Sequence, residues 1–458
     1  MIAVQPPPRV NYIARRGQAP ARENVPLRED VRSWLLGTRA SFHGYDRQLW
    51  VLYGGFIASA MGFAMIVPFV SLYFHEELGV SMSLVGTFFL ATAVVRAAFQ
   101  GYAGDLSDRV GRVRIMVWGQ AARALCFGAM ALAVYLRLDF WVSAAILLVS
   151  YIAGAFYQPV AYAAVNDLAP PAKRLDAYAL MRMAHNLGWG VGPMLGGMVA
   201  EAGYAWLFLL GAITSVFSAW LVRRFVPETL AASRTADFAR AVPADDPPRR
   251  RRPQWMDIFD IRHDRRFLLF CGLSLLVFIT MSQWLSTLAV DAADRMSVTT
   301  AQLGVMFGLN GFMVVTLQLV VTRSLRRMRL PSAMVLGSLV YAASFFMVAF
   351  ADTYLHLLLI MAALTLGELI VSPPSIAIVS LLAPPDRVGR YMGVHGLTAS
   401  FGWSAGPFIG GLLYDRWSGS PPILWSAIAS IGLLAALGFW LARHALPSGE
   451  ITPRTGTP

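Results

Sequence analysis

Apolar positions in this chain run together, some twenty or more at a time, with little charge between them. As a helix, each run is long enough to cross a ~30 Å hydrocarbon layer at ~1.5 Å per residue. Six such helices are predicted at 49–74, 84–103, 114–136, 141–166, 178–201 and 204–222, and six more at 267–290, 300–322, 332–351, 355–381, 391–414 and 422–441. The predicted fold is an all-α integral membrane protein with twelve transmembrane helices in two six-helix halves. Its organisation is a tail (1–47), a first half (48–224), a linker (225–264), a second half (265–442) and a closing tail (443–458).

Composition agrees with this. Of 458 residues 57% are hydrophobic and 14% charged, where soluble domains have ~45–50% and ~25%. Mean hydropathy is +0.55. Soluble, disordered and disulfide-rich secreted classes are excluded. Cys126 and Cys271 both lie inside apolar runs and read as small core residues.

A net charge of +12 would suit a nucleic-acid binder, but the positions of the basic residues decide otherwise. With both termini on one side, 32 of the 38 Lys and Arg fall on that side and only Arg137, Arg295 and Arg416 on the other. Arg96, Arg123 and Arg182 lie within spans. That asymmetry is the positive-inside pattern of a protein with both ends in the cytoplasm, so the basicity is topological and no nucleic-acid partner is expected. The Arg249–Arg252 run reads as a topology determinant in a Pro-rich linker that could also touch anionic lipid heads. No signal peptide precedes span 1. Val31, Trp34, Leu35 and Leu36 lie among arginines at helical spacing, which fits either a short interfacial helix or an unstructured tail.

The chain also repeats itself. Sliding it by 214 aligns Leu168–Gly197 with Leu382–Gly411 without a gap, and ten of the thirty positions are identical. The same offset pairs Pro159 with Pro373, Arg109 with Arg323 and Arg112 with Arg326. One register holding across separated regions implies two homologous halves in the same orientation. Such repeats place a substrate site between the halves near the midplane, opened alternately to each side.

Two motifs carry a more specific signal. After span 2 the chain reads Gly104-Asp-Leu-Ser-Asp108-Arg109-Val-Gly111-Arg112. Its glycines suit a tight turn, and Asp108 and Arg112 can pair to latch one conformation. Spans 5 and 11 carry Gly188, Gly192, Pro193, Gly196 and Gly197 with their partners 214 later, which strips a helix face for close approach while proline bends it.

These motifs resemble those of the major facilitator superfamily. The loop is similar to that family's signature GxLxDRxGRxxx, with Ser107 for the usual alanine and Val113 for the usual basic residue. Span 5 resembles the GxxxGPxxGG motif of the drug:proton antiporter branch. The resemblance covers about residues 48–442 and implies the major facilitator fold, a monomer and no cofactor. One departure is plain: that branch usually carries a span-4 arginine four residues before a glycine, and here Ser150 stands four before Gly154.

Charges within spans are costly and mark function by default. Glu368 is the one acid placed deep in any predicted span, thirteen residues from each end of span 10, a helix that lines the cavity in the family. Desolvation disfavours its charged form, so it can carry a proton or exchange it for a cation; the alternative is a protonated Glu hydrogen-bonded in its bundle. Arg96 and Arg182 fall on helices that line the cavity in the family but near their cytoplasmic ends, where snorkelling or neutralising helix C-termini is the preferred account. Arg123, in span 3, reads as peripheral and structural. His185 and His395 titrate near neutrality when unperturbed, though satisfied core histidines are commoner. Tyr157, Gln158, Gln283, Trp284, Asn310 and His395 are candidate lining residues.

No phosphate-binding loop, metal cluster or nucleophilic triad is present at useful spacing, so neither an enzyme nor a metal site is expected. The expected function is a secondary transporter with protons, membrane lipids and a small-molecule substrate as partners, exporting lipophilic molecules, cationic ones among them. Rivals are a carrier of organic anions or lipids that uses the buried arginines, and a non-transporting receptor. Lys173 as the sole lysine fits a bacterium with GC-rich coding, and hence an inner-membrane location with both termini cytoplasmic.

Overall fold

The computed structural model describes residues 46–170, 173–229, 264–325, 328–384 and 387–447. The residues around Val31–Leu36 and the Arg249–Arg252 run lie outside these. Among the described residues the chain forms twelve long helical segments. The first half holds α1 (Arg47–Leu72, with a π turn Tyr73–Glu77), α2 (Met82–Val110), α3 (Arg112–Tyr135), α4a and α4b (Phe140–Ala155, Gln158–Leu168), α5 (Arg174–Glu201) and α6 (Tyr204–Phe225). The second half holds α7a and α7b (Arg265–Met281, Thr287–Met296), α8 (Thr300–Ser324), α9 (Leu330–Val348), α10 (Tyr354–Leu382), α11 (Val388–Trp417) and α12 (Pro421–Ala442). The 214-residue register carries Phe140 and Leu168, the ends of α4, onto Tyr354 and Leu382, the ends of α10.

Short polar caps start the apolar rods. Asp139 accepts from the Val142 N–H, Asp264 from Phe267, and Thr299 forms a capping box with Gln302. Each answers an N–H that has no partner inside its helix. Ten of the twelve segments are long and apolar enough to cross a membrane; α5 and α11, the two glycine-motif helices, fall short. Large apolar side chains such as Trp141, Trp206, Leu355 and Leu441 point outward, which only a lipid solvent accommodates.

Three segments depart from the sequence expectation. Helix α4 breaks at Phe156–Tyr157, because Pro159 has no N–H to give the Ala155 carbonyl. Span 7 runs six residues beyond its predicted end and is interrupted by a 3-10 turn at Ser282–Leu285. Helix α2 continues to Val110, so Gly104, Asp108 and Arg109 are helical and the turn is confined to Gly111, at φ 117°. The motif prolines do not break their helices: α5 and α11 run through Pro193 and Pro407.

Within the halves α5 packs on α1, and α11 on α7a; between them α2 packs on α11 and α5 on α8. The repeat exchanges these last two contacts, as a twofold relation between the halves requires.

Candidate functional site

The glycine motifs build the seams. Gly188, Gly192 and Gly196 of α5 lie against Ala60, Met61 and Met65 of α1, too close for any side chain. Their equivalents Gly402, Gly406 and Gly410 lie in the same way against Phe278, Ser282 and Gln283 of span 7. The last glycine of each motif instead faces the other half, Gly197 against Gly304 and Gly411 against Met82.

These crossings lie at the end of the bundle away from the linker, where polar contacts join the halves. Asp415 accepts the Met82 and Ser83 N–H groups, each at 2.8 Å, capping α2 from across the interface. His75 sits 3.2 Å from Asp294, which also accepts from Tyr414 at 2.6 Å. The Ser71 and Ser286 hydroxyls meet at 3.0 Å. At the linker end, by contrast, Gly104 of α2 and Gly389, Gly393 and Gly396 of α11 have open space before them. The halves therefore meet closely at the far face, whereas these four glycines meet no neighbour at the linker end.

Between them lies a cavity of about 440 Å³. Trp189 and Trp403, equivalent in the repeat, both line it, as do Pro193 and Pro407. Glu368 and Asn310 enter from the second half, Arg96 and His185 from the first. The half-buried Glu368 accepts from Asn310 Nδ2 at 3.0 Å, and Asn310 also donates to Thr365. Among the described residues Glu368 makes no ion pair.

A smaller recess of about 160 Å³ continues into the first half. Arg96 Nη2 donates to Gln158 Oε1 at 2.9 Å on its wall. Arg123, only 7% exposed, reaches it from α3: its Nη1 donates to Ser59 at 3.2 Å and its guanidinium lies 5.1 Å over the Phe63 ring. The group fits because Gly154 has no Cβ there to block it. Arg123 is thus not peripheral, as its place in span 3 suggested, but part of the site's wall. The offset of 214 carried a signal for this, since it places Gly154 in register with Glu368.

Other candidates lie elsewhere. Gln283 is fully buried and donates to the Ile279 and Gly406 carbonyls, securing the interruption of span 7. His395 is held by Ser375 at 2.9 Å between Phe270 and Phe278. Tyr157 stacks on Phe56 and shares a hydrogen bond with Ser218. None of these three, nor the exposed Arg182, lines the cavity or recess, whereas Trp284, Asn310 and Gln158 do. Glu368 is also not the sole acid within the spans: Asp291, 1% exposed, is paired with Arg295 at 3.0 Å in the part of span 7 that runs beyond its expected end.

At the linker face Arg112 meets Asp108 at 3.3 Å and touches Asp167 of α4b. Glu228, just past α6, accepts the Arg112 N–H at 2.7 Å. A Cβ on Gly111 would strike this carboxylate, and φ 117° is a second reason for glycine. Four elements of one half are tied there. Cys126 is half-buried and Cys271 buried, both as free thiols, and no metal-binding cluster occurs among the described residues.

The sequence profile of the Major Facilitator Superfamily matches residues 52–331 and 287–458. The multidrug resistance protein MdtH of Edwardsiella ictaluri is 24% identical over 403 residues, 86% of this chain and 94% of that protein. MdtH of Photorhabdus laumondii is 26% identical over 378 residues, 82% of this chain and 89% of its own. Among solved structures, a peptide transporter POT in complex with sulfate has a TM-score of 0.68 at 18% identity, over 89% of this chain and 97% of its own. The nucleoside transporter NupG has a TM-score of 0.69 at 12% identity, over 86% and 99%. The likeness to these structures is one of fold, and the profile match over most of the length makes this chain a membrane transporter of the Major Facilitator Superfamily.

Proposed function

We propose that the protein is a proton-driven exporter of small lipophilic molecules in a bacterial inner membrane, working as a monomer with its linker face in the cytoplasm. The observation that carries this reading is Glu368: a carboxyl on the wall of the central cavity whose hydrogen-bond partner, Asn310, is neutral. With no cation fixing its charge, such a group can gain and lose a proton as its surroundings alternate between wet and dry. The aromatic walls suit lipophilic solutes, and the relatives named for multidrug resistance support the export direction.

On this reading the cavity fills from the cytoplasm in the conformation described, and the far-face contacts around Asp415 and Asp294 part to release substrate outside. The glycine seams of α5 and α11 let the helices slide while keeping protons out. The Arg112 cluster holds the first half rigid as it rocks.

The test is proton-gradient-driven transport in proteoliposomes. Glu368→Gln should abolish accumulation against a gradient, as an uncoupler does, while counter-exchange of substrate continues. Wild-type accumulation by Glu368→Gln would remove Glu368 from the coupling role.

A further inference from the structure

Arg96 and Arg123 share the wall of one recess, yet neither forms an ion pair among the described residues. What they do touch is neutral: Gln158 for Arg96, Ser59 and the Phe63 ring for Arg123. Two like charges on one recess wall repel, and hydrogen bonds to neutral partners do not offset that. The Arg123 Nε is buried without a partner, and so is Nδ1 of His185 on the same wall. The Arg123 Nε–H is a buried charged donor left without an acceptor, and the recess has room for a small group beside the two guanidinium groups.

We propose that this recess is the anion subsite of the transport cavity, and that the substrate is an amphipathic molecule carrying one carboxylate or similar small anionic head group. The proposal rests on the transport reading above and adds the substrate's charge. Guanidinium groups suit a carboxylate because their N–H groups match its two oxygens in one plane. The head group enters between Arg96 and Arg123, and the apolar body remains in the larger cavity among Trp189, Trp284 and Trp403. A second, cationic group on the same molecule would face Glu368 on the opposite half. A purely cationic lipophile is disfavoured, since it meets two arginines for one carboxyl.

The test uses the full-length protein in nanodiscs of zwitterionic lipid, with empty discs as blank. Three probes share one body: pyrenebutyrate, pyrenebutanamide and pyrenebutylamine. Binding is read as energy transfer from tryptophan to pyrene. Wild type should bind the carboxylate about tenfold more tightly than the amide, as a charge-assisted hydrogen-bond pair implies. Arg96→Gln and Arg123→Gln should each erase most of that ratio and leave amide binding unchanged. Gly154→Ala keeps both charges but places a methyl group where the Arg123 guanidinium lies, so it should also lower the ratio; it guards against misfolding of the arginine variants.

A wild-type ratio near one, no binding of the carboxylate, or a preference for the amine would overturn the proposal. So would a ratio that survives in the double variant. Competition by millimolar acetate alone would assign the recess to a free anion and not to a substrate's head group. Glu368→Gln separates the two readings: it should keep the carboxylate preference while losing proton-driven transport. If it keeps both, the coupling role fails and the subsite stands.

Discussion

In the 214-residue register Arg96 corresponds to Asn310, Gly154 to Glu368 and Arg123 to Gly337. The first half therefore presents two guanidinium groups to the cavity, one of them lying over a glycine. The second presents a carboxyl at that glycine's place and an amide at the other position. Where Arg123 projects in the first half, Gly337 lets α9 close on Val371 and Gly367 of α10. The seams differ far less: the glycines of α5 and α11 meet their neighbours in the same pattern on both sides. The repeat is kept where helices pack closely and departs on the cavity wall, so the pseudo-twofold axis relates the seams but not the charged groups of the cavity.

The strongest way to break this asymmetry is Asn310→Arg, which gives the second half the first half's residue. The new guanidinium would pair with Glu368 and hold it ionised. Proton-driven transport should fall by about 100-fold or more, since protonating Glu368 would leave the new guanidinium buried without its counter-charge, at a cost of about 3–5 kcal/mol. Retained coupling in flux assays would show that Glu368 need not be free to titrate.

The symmetric seams should respond symmetrically. Gly192→Leu and Gly406→Leu each force a side chain onto a tightly packed helix, against Met61 on one side and Ser282 on the other. Each should cost about 1–3 kcal/mol, and the two should lower the unfolding temperature equally. A tolerated substitution on one side alone would show that the halves do not slide alike.

A smaller effect is expected at the far face. Asp415→Ala removes the acceptor for two N–H groups of the other half, worth about 2 kcal/mol together. Labelling of a cavity cysteine such as Val67→Cys from the far side should accelerate about 30-fold. An unchanged rate would mean that the glycine crossings hold the face shut without this contact.

The fold could be read in the chain because a membrane leaves the backbone few choices: long apolar runs must be helices, and a repeat of 214 must be two halves. Glu368 stood out for the same reason, as a lone carboxyl in an apolar run. What could not be read were neighbours. Arg123 belongs to a helix expected at the periphery, and only its packing against Gly154 brings it to the cavity. Gln283 and His395 look like lining residues in a hydropathy trace, yet their partners are the Gly406 carbonyl and Ser375. Asp294 and Asp415 sit at helix ends, where a span prediction assigns them to loops; their role appears only once the halves are side by side.

The bond from Asp415 to the start of α2 has one further consequence. Its acceptor is a side chain, but its donors are main-chain amides, which every residue except proline supplies. The lock is thus heritable on one side only: drift at positions 82 and 83 leaves the keyhole intact, whereas a single codon change at 415 discards the key. Substitutions that break this contact should therefore spread over many amino acids at 415 but be confined to proline at 82 and 83.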